Sequence, residues 1–282
     1  MAGLSLRQRL AADESLLVAP GVYDGLTARL AECAGFECVY MTGYGTAASQ
    51  GFPDHGLLTL TEMAANVARI SRAVHVPVIA DADTGYGDTA NVVRTVQEYA
   101  QAGAAALHIE DQDWPKKCGH MEGKSLIPEA EMVQKIEAAV DARGDSELRI
   151  IARTDAIAVE GFDAAIMRAR AYGEAGADIL FVEAPNNLKE MAAIPERLPE
   201  WPHIINMAPR TPTVGVDELT KMGYRIAIYP GVCLVAAYTE CSEQLSILKR
   251  TGVQENLDHW RDRFDEMNAM LAKDLNTTKT EA

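Results

Sequence analysis

Residues Val78–Asp111 read VIADADTGYGDTANVVRTVQEYAQAGAAALHIED. An apolar run, Val78–Ala80, ends in acids and gives way to the amphipathic pattern TANVVRTVQEYAQAG, which stops at Gly103. A second apolar run, Ala105–Ile109, follows and again ends in acids. Continuous apolar strands on either side of an amphipathic helix belong to a parallel sheet covered on both faces. The unit recurs in both directions. Further strands are expected at Leu16–Ala19, Val39–Met41, Ile150–Ala152, Ile179–Val182, Ile204–Ile205 and Ile226–Ile228. Helical patterns such as TEMAANVARISRAV and FDAAIMRARAYGEAG lie between them, with glycine stops at Gly35, Gly176 and Gly223. Eight such units in 282 residues, with no linker, predict an α/β fold, a (β/α)8 TIM-type barrel, rather than an open sheet. The catalytic barrel is expected over residues 1–245 and a C-terminal helical extension, used in oligomer contacts, over 246–282, its NTTKTEA end frayed.

Composition narrows the function. The chain is 48% hydrophobic and 24% charged, enough to bury a core and unlike a disordered chain. Its net charge of −15 opposes nucleic acid and anionic membranes, and no basic cluster interrupts it. No apolar run reaches the ~18 residues of a membrane span and no signal peptide is visible, so a cytoplasmic protein is expected. The five cysteines (Cys33, Cys38, Cys118, Cys233, Cys241) share no zinc-finger spacing and should remain thiols.

In a barrel of this type the chemistry sits at the strand C-termini. Polar residues fill those positions here: Thr42 and Gly43, Asp81 and Asp83, Glu110 and Asp111, Arg153 and Asp155, Glu183, Asn206 and Tyr229. One alone reads as a solvated loop residue. Seven strand ends together read as an enzyme.

DADTGYGD (Asp81–Asp88) sets two carboxylates two residues apart at a strand end, suited to a hard cation such as Mg2+ that keeps several waters. Glu110, one strand on, can hold one of those waters, whereas Asp88 reads as the cap of the following helix. PKKCGH (Pro115–His120) surrounds Cys118 with Lys116, Lys117 and His120, cations expected to lower the thiol pKa. Gly119 and Gly123 would let that loop fold over a ligand. The same segment reads equally as a surface thiol in a charged loop. The other four cysteines read as core, and His108 as an inner-barrel histidine. TGYGTA (Thr42–Ala47) matches a dinucleotide glycine pattern only loosely, since no long helix opens from it. Backbone N–H groups from Thr42 to Tyr44 suit a carboxylate or carbonyl oxygen better.

In order, TGYG, DADTGYGD, IEDQ, KKCGH, ARTDA, FVEAP and the Asn206 segment resemble the isocitrate lyase and phosphoenolpyruvate mutase superfamily, from about Leu16 to about Leu245. KKCGH is similar to the catalytic loop of its carbon–carbon lyases and differs from the asparagine-containing loop of the phosphonate enzymes. The continuation HMEGK is similar to the branch holding 2,3-dimethylmalate lyase, petal death protein and oxaloacetate hydrolase, rather than methylisocitrate lyase. Where relatives read NxxEGGKTP, this chain reads NMAPRTP (Asn206–Pro212), with Arg210 in place of lysine and no glutamate. That departure bears on the distal carboxylate pocket.

The resemblance implies Mg2+ (Mn2+ as a substitute) on Asp83 directly, with Asp81 and Glu110 acting through water. It implies Thr42, Gly43 and Tyr44 at the keto-acid end of the ligand and Arg153 on a carboxylate. Asp54 and Glu183 would support metal and substrate, Gly119 would touch substrate, and Asn206 would bind the leaving carboxylate. Cys118 becomes the general acid/base, assisted by Lys116, Lys117, His120 and Glu110. The implied reaction splits a 2-hydroxy dicarboxylate of the 2,3-dimethylmalate or 2-methylisocitrate type into a 2-keto acid and a carboxylate. An oxaloacetate hydrolase on the same site is the alternative; a phosphonate mutase or hydrolase and a non-catalytic metabolite-binding barrel rank below it. A homotetramer built from dimers that exchange a C-terminal helix is also implied.

Overall fold

The computed structural model describes residues 4–12, 15–121, 123–254 and 257–273. Among them, strands β1 (Leu17–Val22), β2 (Val39–Met41), β3 (Val78–Asp81), β4 (Ala106–Glu110), β5 (Arg149–Thr154), β6 (Ile179–Val182), β7 (His203–Asn206) and β8 (Ile226–Tyr229) pair in parallel, each with the next. β8 returns to β1 through Leu17↔Ile226 to Pro20↔Tyr229 and closes the barrel. Every expected strand is present, with ends displaced by up to three residues.

The helices are α1 (Leu6–Ala12), α2 (Gly25–Cys33), α3 (Gly43–Ser49), α4 (Leu60–Ala73), α5 (Thr89–Ala102), α6 (Glu129–Arg143), α7 (Phe162–Glu174), α8 (Leu188–Arg197), α9 (Val216–Met222), α10 (Val232–Thr251) and α11 (Leu257–Ala272). Local chemistry sets their ends. Asp88 caps α5 by accepting from Ala90 N at 3.0 Å, and Gly103 closes it at φ +92°, a left-handed turn that glycine adopts without steric cost. Val92, Val96 and Tyr99 are fully buried on the inner face of that helix.

The strands alternate with period two. Ile79, Ala106, Ile151, Ile179, Phe181 and Ile204 point into the barrel, while Ala80, Leu107, Ile150, Leu180 and Val182 pack outward against the helices. His108 lies among the inward set, as expected, fully buried between Tyr40 and Phe181.

The chain divides into two compact units at Gly231/Val232. The boundary expected at Leu245 falls inside α10, because one uninterrupted helical pattern runs from Val232 to Thr251. α10 buries none of its side chains. Among the described residues no helix is long and apolar enough to cross a membrane. The NTTKTEA tail lies outside the described residues, as does Glu122 of HMEGK. Of the four cysteines expected in the core only Cys38 is buried; Cys33 ends α2 on its outward side, and Cys33 and Cys241 are exposed.

Candidate active site

The parity that points Ile79, Ala106, Ile151, Phe181 and Ile204 inward carries Asp81, Glu110, Arg153, Glu183 and Asn206 into the layer above them, and all five are buried. Glu110 and Arg153 are register partners across β4 and β5. Asp83 continues the parity of Asp81 into the following loop, with φ at +47°, a region that non-glycine residues seldom occupy outside functional sites. Two hydrogen bonds hold it there: Asp83 N donates to Asp81 Oδ1 (2.9 Å) and Glu110 N donates to Asp83 O (2.9 Å). Asp81 is fixed in turn by Gly43 N on its Oδ2 (3.2 Å) and by Tyr99 Oη on its carbonyl (2.8 Å).

The connection after β4 folds over this floor. Lys116 Nζ lies 2.5 Å from Asp54 Oδ1 and 2.6 Å from Asp83 Oδ1, with its side chain 3% exposed. Burial alone would lower its pKa, but Asp83, Asp81 and Asp54 outweigh burial and keep the ammonium charged. His120 Nδ1 accepts from Arg210 N (3.2 Å), which places the ring proton on Nε2, 3.1 Å from Glu183 Oε1. Asn206 Nδ2 also donates to Glu183 Oε2 (3.1 Å). Gly119 packs so closely that a Cβ there would stand 2.2 Å from Arg153 Nη2.

Three expectations need correction. The cations of KKCGH do not gather around Cys118. Lys116 turns to the acids, Lys117 Nζ donates to Gly123 O (2.8 Å), and His120 faces Glu183. Burial therefore dominates, and the Cys118 thiol is pushed up to about 11 rather than lowered. The TGYG segment opens only into the short α3, in keeping with the expectation of no long helix, but Thr42 Oγ1 caps it by accepting from Gly45 N (3.2 Å). Its N–H groups are also partly committed: that of Thr42 goes to Val22 O (3.1 Å) and that of Gly43 to Asp81, which leaves Tyr44. Arg153 does not stand free for a carboxylate. Its guanidinium reaches Asp155 (2.9 Å), Glu110 (3.3 Å) and Glu183 (3.3 Å).

Asp155, expected only as one of the polar strand ends, and Lys124, not singled out in the sequence, stand with these groups. Asp155 holds Arg153 through its Nε (2.9 Å), and Lys124 Nζ, with its side chain 1% exposed, lies 2.7 Å from Asp155 Oδ1. Asp111 positions Asp155 by accepting from its N–H (2.9 Å), and is itself held by Thr154 Oγ1 (2.7 Å) and Tyr172 Oη (2.9 Å). The signal for Asp155 was its i+2 spacing from Arg153 in ARTDA. Lys124 had only its place in HMEGK.

The donor set fits a hard dication. Asp54, Asp81, Asp83, Glu110, Asp155 and Glu183 outnumber the fixed cations Lys116, Lys124 and Arg153, so an anionic ligand needs further positive charge. Asp83 Oδ1 and Glu110 Oε1 are buried without a hydrogen bond of good geometry. Burial, offset in part by Lys116 and reinforced by Asp81 and Asp54, lifts Asp83 to about 6, and burial raises Glu110 well above the usual carboxylate range. Among the described residues no three His, Cys, Asp or Glu side chains converge to hold a metal unaided. That suits an ion taking one or two carboxylates and completing its shell with water and substrate. Beside Asp54 and Asp83 the cavity measures about 10 Å3. A wider cleft of about 720 Å3, lined by Leu57, Thr84, Trp114 and Lys135, lies alongside and includes none of the acids above.

Residues 6–249 match the sequence profile of the phosphoenolpyruvate phosphomutase family. The chain belongs to that family. Within the phosphoenolpyruvate mutase and isocitrate lyase superfamily it is 45% identical over 267 residues to 2,3-dimethylmalate lyase of Eubacterium barkeri, covering 94% of this chain and 92% of the relative. It is 46% identical over 257 residues to 2-methylisocitrate lyase of Aeropyrum pernix, covering 90% and 82%. The structure of oxaloacetate acetylhydrolase with 3,3-difluorooxalacetate superposes with a TM-score of 0.91 at 36% identity, over 99% of this chain and 97% of that one. The phosphomutase-family barrel thus serves lyases and a hydrolase among this chain's relatives, and the parts that differ in chemistry must be sought at its mouth.

Proposed function

We propose that the chain is a Mg2+-dependent carbon–carbon lyase that splits a 2-hydroxy dicarboxylate, of 2,3-dimethylmalate or 2-methylisocitrate type, into a 2-keto acid and a carboxylate. One observation carries the reading: a half-buried thiol, Cys118, on a loop tied by Lys116 and His120 to the acid-lined mouth. The 45% identity to a dimethylmalate lyase supports the substrate class.

Asp83 would hold the ion directly, with Asp81 and Glu110 through water, and the dication would supply Lewis acidity toward the oxygens of a 2-hydroxy acid. Glu110, with its unpartnered Oε1, is assigned to the hydroxyl proton. As the hydroxyl becomes a carbonyl, the neighbouring C–C bond breaks and its electron pair moves onto the departing carboxylate. Asn206, with Oδ1 unpartnered and Nδ2 beside Glu183, and His120 stand where that fragment would be oriented. Cys118 then protonates the carbon. A thiol held near 11 is protonated at neutral pH, the form a general acid requires. Tyr44 N–H, Gly119 and a released arm of Arg153 are the remaining groups assigned to substrate.

The fold likeness to oxaloacetate acetylhydrolase supports the second reading, in which water attacks a carbonyl within the same site. A panel of dimethylmalate, methylisocitrate, oxaloacetate and phosphonopyruvate assayed with Mg2+ separates the two. The lyase reading expects a 2-hydroxy diacid to be preferred. Oxaloacetate turned over tenfold more efficiently, a gap of roughly 1.4 kcal/mol, would move the assignment to the hydrolase.

We assign the assembly to a homotetramer built from two dimers, each exchanging a C-terminal helix. In its support, α10 exposes Val235, Tyr238, Leu245 and Leu248. Light scattering tests it. Five cysteines outside any disulfide suit a reducing cytoplasm.

A further inference from the structure

The loop that carries Cys118 is a stitched flap rather than a loose strand. At its base Gln112 bridges to Leu126, and Asp113 N donates to Ser125 O (2.8 Å). Within it, the Gln112 side chain grips both the N–H and the carbonyl of Lys117 (3.0 and 2.8 Å). Lys117 Nζ reaches Gly123 O, and Met121 N closes a turn on Cys118 O (2.8 Å). Such a piece moves as a unit. It has to move for a ligand to enter, because Lys116 Nζ stands 2.6 Å from Asp83 Oδ1 and Gly119 packs against Arg153, on the groups assigned to metal and substrate.

Three lysine or histidine side chains moor the flap to the barrel. Lys116 and His120 sit on groups assigned to metal and substrate. Lys124 takes as its barrel partner an acid assigned to neither. Its ammonium donates to Asp155 Oδ1 (2.7 Å) on the barrel and to Gly119 O (2.5 Å) within the flap, joining the two. Asp155 cannot follow a moving flap, since Asp111 fixes its backbone and Arg153 its carboxylate. The contact therefore exists only when the flap is shut.

We propose that Lys124 is the latch of the closed state, a positioning residue that holds the Cys118 loop down on Asp155 without touching the reacting atoms. This rests on the loop being the carrier of the proton donor, but its test does not require turnover. A charged hydrogen bond buried at the seam favours closure, and its loss shifts the population toward the open form.

The rate at which iodoacetamide labels each cysteine, followed by peptide mass spectrometry, reads the flap directly. Lys124→Met should accelerate labelling of Cys118 by about tenfold, the effect of losing one charge-assisted hydrogen bond, and leave Cys33, Cys38 and Cys241 unchanged. Lys124→Arg, which keeps a cation of sufficient reach, should restore protection; a side chain that merely filled space would not be rescued by charge. Asp155→Asn removes the same tie from the barrel side and should mimic Lys124→Met, so one folded variant of the two decides. Parent-like protection of Cys118 in either folded variant, or no rescue by arginine, overturns the latch. Accelerated labelling in an enzyme that fails every lyase substrate would keep the latch and sink the lyase reading; unchanged labelling in an active lyase would do the reverse.

Discussion

Lys116 Nζ lies 2.6 Å from Asp83 Oδ1, so the loop that carries Cys118 is ion-paired to the carboxylate assigned to the metal. Closure and metal binding thus draw on one acidic group. Asp83→Ala should abolish turnover and the binding of Mn2+ followed by electron paramagnetic resonance, yet leave a cooperative thermal transition. The fold does not depend on that acid, because burial and its acidic neighbours already oppose its charge. Retained Mn2+ binding in the variant would exclude Asp83 as the direct ligand.

Cys118→Ser should keep Mg2+ and keto-acid binding but lose 100- to 10,000-fold in kcat, the usual worth of a positioned general acid. In the parent, burial holds the thiol near 11. Alkylation at pH 7 should therefore be slower than for an exposed thiol, and should climb as pH rises toward that value. A pH-rate profile for labelling that levels off near 7 would show a thiolate and contradict the burial seen here.

Gly119→Ala places a methyl 2.2 Å from Arg153 Nη2 and 2.8 Å from Glu183 Cγ. The flap cannot shut over such a contact. Turnover should fall about 100-fold, the scale of an ångström misplacement, with Tm little changed since an open flap relieves the clash. Parent-like kcat would mean that closure leaves more room than this structure shows.

Asp155 gives a pH signature. Burial raises its carboxyl, but Arg153 and Lys124 outweigh burial and hold it below the ordinary range. A lowered folded pKa contributes stability in full above the unfolded value of ~3.9, and that stability is lost as pH falls toward the folded value. Asp155→Asn should cost about 3–5 kcal/mol at pH 7, as for one partner removed from a buried pair. In urea titrations the gap to the parent should narrow below pH ~4; a gap equal at pH 7 and pH 3 would rule out the charge coupling.

The strands were legible because a parallel barrel buries them on both faces, so Val78–Ala80 and Ile179–Val182 stand out as unbroken apolar runs. The floor of the site was legible for a related reason: Asp81, Glu110, Arg153 and Glu183 each continue a strand's inward parity by one more step. What sequence spacing concealed was direction on the connections. KKCGH sets three cations beside a thiol along the chain, yet a non-helical backbone turned each one toward a different acid or carbonyl. Lys124 was hidden because its partner, Asp155, lies thirty-one positions away and meets it only through the barrel. A division into two parts was expected, but its boundary was set inside α10 for want of a break: nothing in the sequence from Val232 to Thr251 interrupts a helix.

The strands supply Asp81, Glu110, Arg153 and Glu183, whereas Cys118 rides on a connection stitched mainly to itself. Ligand capture and proton delivery are therefore written in separable lengths of chain. Substitutions in the connection can exchange one reaction for another without disturbing the core, while changes on the strands put capture and folding at risk together. A scaffold with that division of labour can diversify its chemistry by redrafting a single short insert.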